Sequence, residues 1–155
     1  MEPPVRNGAG RQGTVVVCDD TESIRRLLAM ILELEGFNVL EASDGVQAIR
    51  LLQEGALPPS VVIVDAQMSP GDGWSVLEVM RVNERLRDVP VLMASAEPTC
   101  QDGARERAVA LGLDACLAKP FEPDRVLELV RGFARYGRGF QVPDHLDIHR
   151  RPRHT

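Results

Sequence analysis

Three acidic residues, one hydroxyl group and one ammonium group follow short apolar runs in this chain of 155 residues. Asp19 and Asp20 come directly after TVVVC, and Asp65 comes after SVVIV. Ser95 closes VPVLMAS, and Lys119 follows ACLA. Three carboxylates gathered in one place would raise one another's pKa values unless a cation lay among them. Mg²⁺ prefers oxygen ligands and is bound through one or two carboxylates and several waters. If the fold gathers these aspartates, the sequence predicts a Mg²⁺ site.

A simpler interpretation treats the segment DDTES as the start of a helix. Asp, Thr and Ser are favoured N-cap residues, and acidic side chains are stabilised near a helix N-terminus. Capping accounts for one or two of these residues. It does not account for Asp65, which follows a different apolar run. We therefore favour the metal site.

The segment between residues 14 and 136 alternates short apolar runs with amphipathic ones. In the first amphipathic run, Ile24, Leu27, Leu28 and Ile31 have the spacing of one helix face. Five strands alternating with five helices predict an α/β fold, a doubly wound five-stranded parallel sheet. In the flavodoxin-like strand order 2-1-3-4-5, ligands bind at the carboxyl ends of the strands. The candidate residues follow those ends, so this order would bring them together.

Composition and charge set the remaining expectations. Residues 1–13 and 137–155 show no sustained period and predict flexible tails around one domain, 14–136. No apolar run is long enough to cross a membrane, so we expect a cytoplasmic protein. Three cysteines, an odd number, suggest reduced thiols without a disulfide framework. A net charge of −5 argues against direct DNA binding.

Four motifs in order, VVVCDDTESIRRLL, VVIVDAQMSPGDGW, PVLMASAE and LAKPF, resemble the receiver domain of two-component response regulators, the CheY-like family. The resemblance covers residues 14–136. It implies that Asp65 accepts a phosphoryl group from a phosphohistidine on a histidine kinase or a histidine phosphotransfer protein. Such a protein is a signalling protein that catalyses only its own phosphorylation and dephosphorylation.

The resemblance also assigns roles around Asp65. Asp20 and Asp65 would bind Mg²⁺ directly, together with the backbone carbonyl of Gln67, and Asp19 would act through water. Ser95 would hydrogen-bond the phosphoryl group, and Lys119 would pair with it. The Lys119–Pro120 peptide bond is expected to be cis. The face made by helix 4, strand 5 and helix 5 would bind the kinase or a downstream protein. A weak homodimer is a further expected partner state. We expect a single-domain regulator.

One departure from the family pattern, and one nucleophile shared with another class of protein, keep alternatives open. Cys116 stands three residues before Lys119, where the family usually has a switch aromatic residue, which calls its usual conformational coupling into question. A receiver-like module that binds partners without phosphorylation is therefore one alternative. A phosphatase of the haloacid-dehalogenase type, which also uses an Asp nucleophile, is another. That chemistry requires a second Asp two residues after Asp65, where this chain has Gln67.

Lys119 is the only lysine, and every other basic residue among the 18 Lys and Arg is arginine. From the fifth strand, a side chain must cross roughly 10 Å of sheet to reach Asp65 on the third. Arginine would also reach, but its planar fork favours a rigid bidentate pair with a carboxylate. We hypothesise that the compact charge of lysine can release Asp65 and follow the incoming phosphoryl group.

Overall fold

The computed structural model describes residues 12–96 and 103–144, and for residues 103–105 it describes the backbone only. In chain order the elements are β1 (Thr14–Cys18), α1 (Glu22–Leu34), β2 (Asn38–Ala42), α2 (Gly45–Glu54), β3 (Val61–Asp65), α3 (Gly73–Val82), β4 (Val91–Ser95), α4 (Gly103–Ala110), β5 (Ala115–Ala118) and α5 (Pro123–Tyr136). The ten predicted elements are all present. Their ends agree with the sequence pattern to within a few residues.

The five strands form one parallel sheet in the order β2-β1-β3-β4-β5, so the predicted fold is confirmed. The register aligns the carboxyl ends of the central strands: Cys18 pairs with Val64, and Asp65 pairs with Ala94. At the next ladder, Ser95 pairs with Ala118, the residue before Lys119. The predicted site residues therefore lie along one edge of the sheet.

Helices cover both faces of this sheet and produce two hydrophobic cores. Alternate residues of β1 point to opposite sides: Val15 and Val17 pack on the α1 and α5 side, whereas Val16 packs with α2 and α3. All residues of β3 are buried because both of its faces are covered. This explains why the β3 sequence is continuously apolar up to Asp65.

Short acidic caps begin two of the helices. The carboxylate of Asp44 accepts the Gln47 N–H at the start of α2, and Asp72 accepts the Ser75 N–H at the start of α3. Each cap satisfies a backbone donor that the first helical turn leaves unpaired. None of the helices in the described ranges combines the length and apolar character needed to cross a bilayer.

Residues 137–144 pack against the domain, although the sequence predicts that they belong to a flexible tail. The Phe140 ring occupies the space over Gly132 of α5, where an added Cβ would lie 2.1 Å from the ring. Phe140 also meets Phe133 edge-to-face, with ring centroids 5.1 Å apart. The packed region therefore extends beyond the predicted boundary at residue 136. The rest of this tail, 145–155, and residues 1–11 lie outside the described residues.

An ion cluster of Asp114, Arg81 and Arg138 binds this extension to the amino ends of β4 and β5. Asp114 accepts hydrogen bonds from Arg81 Nη2 at 2.9 Å and from Arg138 Nε at 2.9 Å. It also accepts the Val91 backbone N–H at 2.8 Å. Burial lowers the pKa of Arg81 to about 10, against the opposing effect of Asp114. The cluster joins α3, β4, β5 and the extension at the edge opposite the predicted site.

We predict that Phe140→Ala lowers the free energy of unfolding by roughly 2 kcal/mol. Truncation of a fully buried phenylalanine costs about 3–5 kcal/mol, and Phe140 is only half-buried. Urea denaturation measures the change. The neighbouring exposed residue supplies the control, since Gln141→Ala should leave stability within about 0.5 kcal/mol of wild type. Equal stability of all three proteins would contradict the packed extension.

Candidate functional site

Lys119 joins two of the predicted acidic residues at the carboxyl edge of the sheet. Its Nζ donates to Asp19 Oδ2 at 2.8 Å and to Asp65 Oδ2 at 3.1 Å. The side chains of Asp19 and Asp65 are only 2% and 8% exposed, so water weakens these ion pairs little. The ammonium group reaches past β4 to both β3 and the end of β1. Sequence reasoning anticipated the reach to Asp65 but missed the contact with Asp19.

Asp19, Asp20 and Asp65 form a cluster able to hold a cation. Each offers a carboxylate oxygen, and the three oxygens lie within 4.8 Å of one another. Asp19 already accepts the Thr21 N–H and the Lys119 ammonium group. Asp20, by contrast, is exposed and makes no hydrogen bond or ion pair within the described part of the chain. An all-oxygen set with one uncommitted carboxylate fits Mg²⁺.

Burial and the contacts between Lys119 and its two aspartates shift the pKa values of Asp65 and Lys119. Burial raises the pKa of Asp65 above its ordinary value, although the Gln67 N–H and the Lys119 ammonium group act in the opposite direction. Burial lowers the pKa of Lys119, but its bonds to Asp19 and Asp65 outweigh that effect and leave the pKa above its ordinary value. Lys119 is therefore charged at neutral pH.

Ser95 and Gln67 lie beside Asp65 on neighbouring segments. Ser95 is buried at the end of β4, and its carbonyl accepts the Lys119 backbone N–H at 2.9 Å. The backbone N–H of Gln67 donates to Asp65 Oδ1 at 3.2 Å. The predicted roles of the Ser95 hydroxyl and the Gln67 carbonyl remain predictions. A cleft of about 450 Å³ opens beside them, lined by Asp20, Ala66, Gln67, Met68, Ser69 and Asp72.

Two backbone features hold the segments around Asp65 close together. A Cβ on Gly73, the first residue of α3, would lie 2.5 Å from the Asp65 carbonyl oxygen. Only glycine therefore permits α3 to begin directly against the end of β3. On the other side, the Lys119–Pro120 peptide bond is cis, as the family resemblance implied.

The two described cysteines do not supply a nucleophile. Cys18 is a buried free thiol, and burial, together with Asp44 and other nearby carboxylates, raises its pKa to about 12. It stays protonated at neutral pH, and the thiolate is the reactive form. Cys116 is half-buried in β5 and is disulfide-bonded. The expectation that all cysteines are reduced is wrong for Cys116.

Sequence reasoning gave no role to Arg25, although it lies within the first motif. Its Nη1 donates to the backbone carbonyl of Asp19 at 3.0 Å, and its Nε donates to Glu41 Oε1 at 3.1 Å. Arg25 thus connects α1, the acidic pair and β2. The position of an arginine five residues after the second of two aspartates was the available signal, but the contact with β2 depends on the fold.

The sequence matches the response regulator receiver domain family over residues 15–131. PilG of Pseudomonas aeruginosa is 31% identical over 117 residues, which cover 76% of this chain and 84% of PilG. RpaA of Synechocystis, a DNA-binding transcriptional regulator, is 32% identical over 121 residues that cover 78% of this chain and 48% of RpaA. The chain therefore spans about half the length of the transcriptional regulators that it resembles.

Solved structures share the fold. The receiver domain of the Francisella response regulator 1452 has a TM-score of 0.70 at 26% identity, covering 79% of this chain and 97% of that domain. The chemotaxis response regulator CheY4 of Vibrio cholerae has a TM-score of 0.70 at 27% identity, covering 77% and 97%. The family match spans most of the sequence, and the acidic cluster and its lysine lie in the matched region. The chain belongs to the response regulator receiver domain family of two-component signalling.

Proposed function

We propose that Asp65 accepts a phosphoryl group from a phosphohistidine on a histidine kinase or phosphotransfer protein, in the presence of Mg²⁺. The supporting observation is the contact between Lys119 Nζ and the carboxylates of Asp65 and Asp19, beside the uncommitted carboxylate of Asp20. A carboxylate oxygen of Asp65 attacks phosphorus, and the P–N bond to the imidazole breaks. Its electron pair returns to the imidazole nitrogen.

The chain's own residues would orient the nucleophile and balance charge. Phosphoryl transfer depends mainly on positioning and on neutralising the oxygens of the moving group. The Gln67 N–H holds one oxygen of Asp65, and Lys119 holds the other. The phosphoryl group itself carries about −1.5 to −2 charges, for which Lys119 supplies a nearby cation. When bound, Mg²⁺ would supply further positive charge to the phosphoryl oxygens.

The two alternatives explain the site less well. A haloacid-dehalogenase-type phosphatase needs an acid or base at position 67, and an exposed glutamine amide does not titrate. An interaction module that is never phosphorylated draws support from Cys116 at the switch position. It gives no reason for a lysine held between two buried carboxylates beside a third. We therefore prefer the phosphoacceptor.

The output surface is also a proposal. We propose that the face formed by α4, β5 and α5 binds the kinase or a downstream protein after phosphorylation. Arg107 of α4 lies over the Trp74 ring of α3, 4.6 Å from its centroid. A shift of α4 against α3 would therefore change the surroundings of the only tryptophan. Cytoplasmic location, weak homodimerisation and the absence of direct DNA binding remain predictions.

Wild-type protein incubated with a small phosphodonor and Mg²⁺ should gain the mass of one phosphoryl group. Asp65→Asn should gain none, because an amide oxygen cannot serve as the carboxylate nucleophile. Intact-protein mass spectrometry measures the gain. Asp72→Asn is the matched control, since Asp72 lines the same cleft but only caps α3, and it should be modified like wild type. No gain in wild type, or an equal gain in Asp65→Asn, would refute the proposal.

Lys119→Arg should retain a cation near Asp65 but impair phosphorylation or the response that follows it. The guanidinium fork favours a fixed bidentate pair with a carboxylate, which holds Asp65 more rigidly than an ammonium group does. We expect phosphorylation to slow by about tenfold or the phosphorylation-dependent change in Trp74 fluorescence to be lost. Mass spectrometry and fluorescence measure the two effects. A variant normal in both would show that any long cation suffices.

Asp65→Asn should stabilise the metal-free protein at pH 7. Burial raises the folded-state pKa of Asp65 above its ordinary value of 3.8, so the folded state binds this proton more tightly than the unfolded state. That contribution to stability is present below pH 3.8 and is lost as the pH rises through the folded pKa. Asparagine carries no charge, so its advantage should be largest at pH 7 and should disappear in acid.

Urea denaturation in EDTA at several pH values measures this effect. Asp114→Asn is the contrasting control, because its loss leaves Arg81 and Arg138 without their carboxylate. Breaking such a buried pair should destabilise the protein by about 3 kcal/mol. An Asp65→Asn variant less stable than wild type at pH 7 would mean that its bond to Lys119 outweighs the burial of its charge.

A further inference from the structure

Arg25 makes two directional contacts beside the acidic cluster. Its Nη1 donates to the carbonyl of Asp19 at 3.0 Å, and its Nε donates to Glu41 Oε1 at 3.1 Å. The Arg25 side chain is 16% exposed and that of Glu41 is 24% exposed. Two different nitrogens of one rigid guanidinium group therefore connect the backbone after β1 to the side chain of a β2 residue.

The carbonyl that Arg25 holds belongs to the peptide group joining Asp19 to Asp20. Because a peptide group is planar, fixing the direction of this carbonyl also fixes the Asp20 N–H and limits where the Asp20 Cα can lie. Asp19 is held independently: its N–H donates to the Ala42 carbonyl, and its Oδ1 accepts the Thr21 N–H. Within the described residues, Asp20 has no hydrogen bond or ion pair of its own. Its placement depends on this peptide.

We propose that Arg25 is a positioning residue for Mg²⁺ binding: through the Asp19 carbonyl it sets the position of the Asp20 carboxylate. This inference rests on the proposed function, which requires Mg²⁺ at Asp19, Asp20 and Asp65. Glu41 contributes to the same positioning, because it holds the guanidinium group in the orientation that reaches the Asp19 carbonyl. Arg25 itself does not touch the metal.

The direction in which Mg²⁺ affinity changes when Arg25 is replaced distinguishes positioning from simple electrostatics. Arg25 carries a positive charge close to the cluster, so Coulomb repulsion alone would weaken cation binding. Removing that charge would then strengthen Mg²⁺ binding. Positioning predicts the opposite, because losing the bond to the Asp19 carbonyl releases the peptide that carries Asp20. Loss of a group that orients metal ligands typically weakens metal affinity by about 10–100-fold.

Arg26 provides a matched control within the same helix. It is the adjacent residue, carries the same charge and pairs with the same glutamate, Nη1 to Glu41 Oε2 at 3.3 Å. Its side chain is 66% exposed, and among the described contacts it makes none with Asp19. Arg26→Gln thus removes a comparable charge and leaves the Asp19 carbonyl bonded.

The test is calorimetric titration of Mg²⁺ into the full chain in wild type, Arg25→Gln, Arg25→Lys and Arg26→Gln. We expect Arg25→Gln to raise the Mg²⁺ dissociation constant by about tenfold. Arg25→Lys should also weaken binding, since it keeps the charge but replaces two nitrogens in a rigid plane by one ammonium nitrogen on a flexible chain, which cannot hold the Asp19 carbonyl in the same direction. Arg26→Gln should bind at least as tightly as wild type. Circular dichroism and urea denaturation in EDTA establish that each variant is folded at the titration temperature.

Each result bears on one of two conclusions. If wild type binds no Mg²⁺, the proposed function loses its cofactor and this inference fails with it. If wild type binds Mg²⁺ but both Arg25 variants bind as tightly or more tightly, the inference alone is overturned. If Arg25→Gln does not fold, Arg25→Lys decides the matter. Weakening by Arg26→Gln equal to that by Arg25→Gln would also overturn it, because charge and not the carbonyl bond would then be responsible.

Discussion

Lys119 stabilises a group of carboxylates at one edge of the sheet, whose negative charges would otherwise repel one another. Asp19, Asp20 and Asp65 offer oxygens within 4.8 Å of one another, and the lysine ammonium group binds two of these residues. To do so, its side chain must leave β5, pass β4 and reach β3. The strand order β2-β1-β3-β4-β5 and the parallel register, which align these strand ends, satisfy that requirement. The two residues at the end of β4, Ala94 and Ser95, both have small side chains.

The charged clusters around Asp114 and around Lys119 differ in how well their charges are balanced. At the amino edge of the sheet, Asp114 accepts three hydrogen bonds, two of them from arginines, so its carboxylate is fully paired. At the carboxyl edge, three carboxylates lie close together, one lysine pairs with two of them, and the nearby Arg25 is already paired with Glu41. The first arrangement stabilises the fold by joining four segments. The second leaves about two negative charges uncompensated, which a divalent cation would neutralise.

Local periodicity predicted most of the elements because strands such as β3 and helices such as α1 and α5 have strong patterns of their own. The short helix α4, GARERAVA, has no clear apolar face, and the alternation of strands and helices indicated it instead. The site could be predicted for a related reason: Asp65 and Lys119 follow strands directly, and parallel strands bring such positions to one edge. The contact of Arg25 with Glu41 and the contacts of Asp114 could not be predicted, since they join residues far apart in sequence and depend on side-chain direction. The extension after Tyr136 was missed because its packing depends on individual side-chain contacts that leave no periodic pattern, the Phe140 ring over Gly132 and Arg138 on Asp114.

Cys116 stands where the family usually has an aromatic side chain beside the site. The helix α4 nevertheless contacts α3, which begins against Asp65. Gly73 rests directly against the Asp65 carbonyl, and the next residue, Trp74, is buried under Arg107 of α4. A cation lying over an indole ring contributes about 0.5–1 kcal/mol at exposed sites and more when water is excluded. This contact places α4 against the helix that begins at the Asp65 carbonyl, and it involves no aromatic residue at position 116.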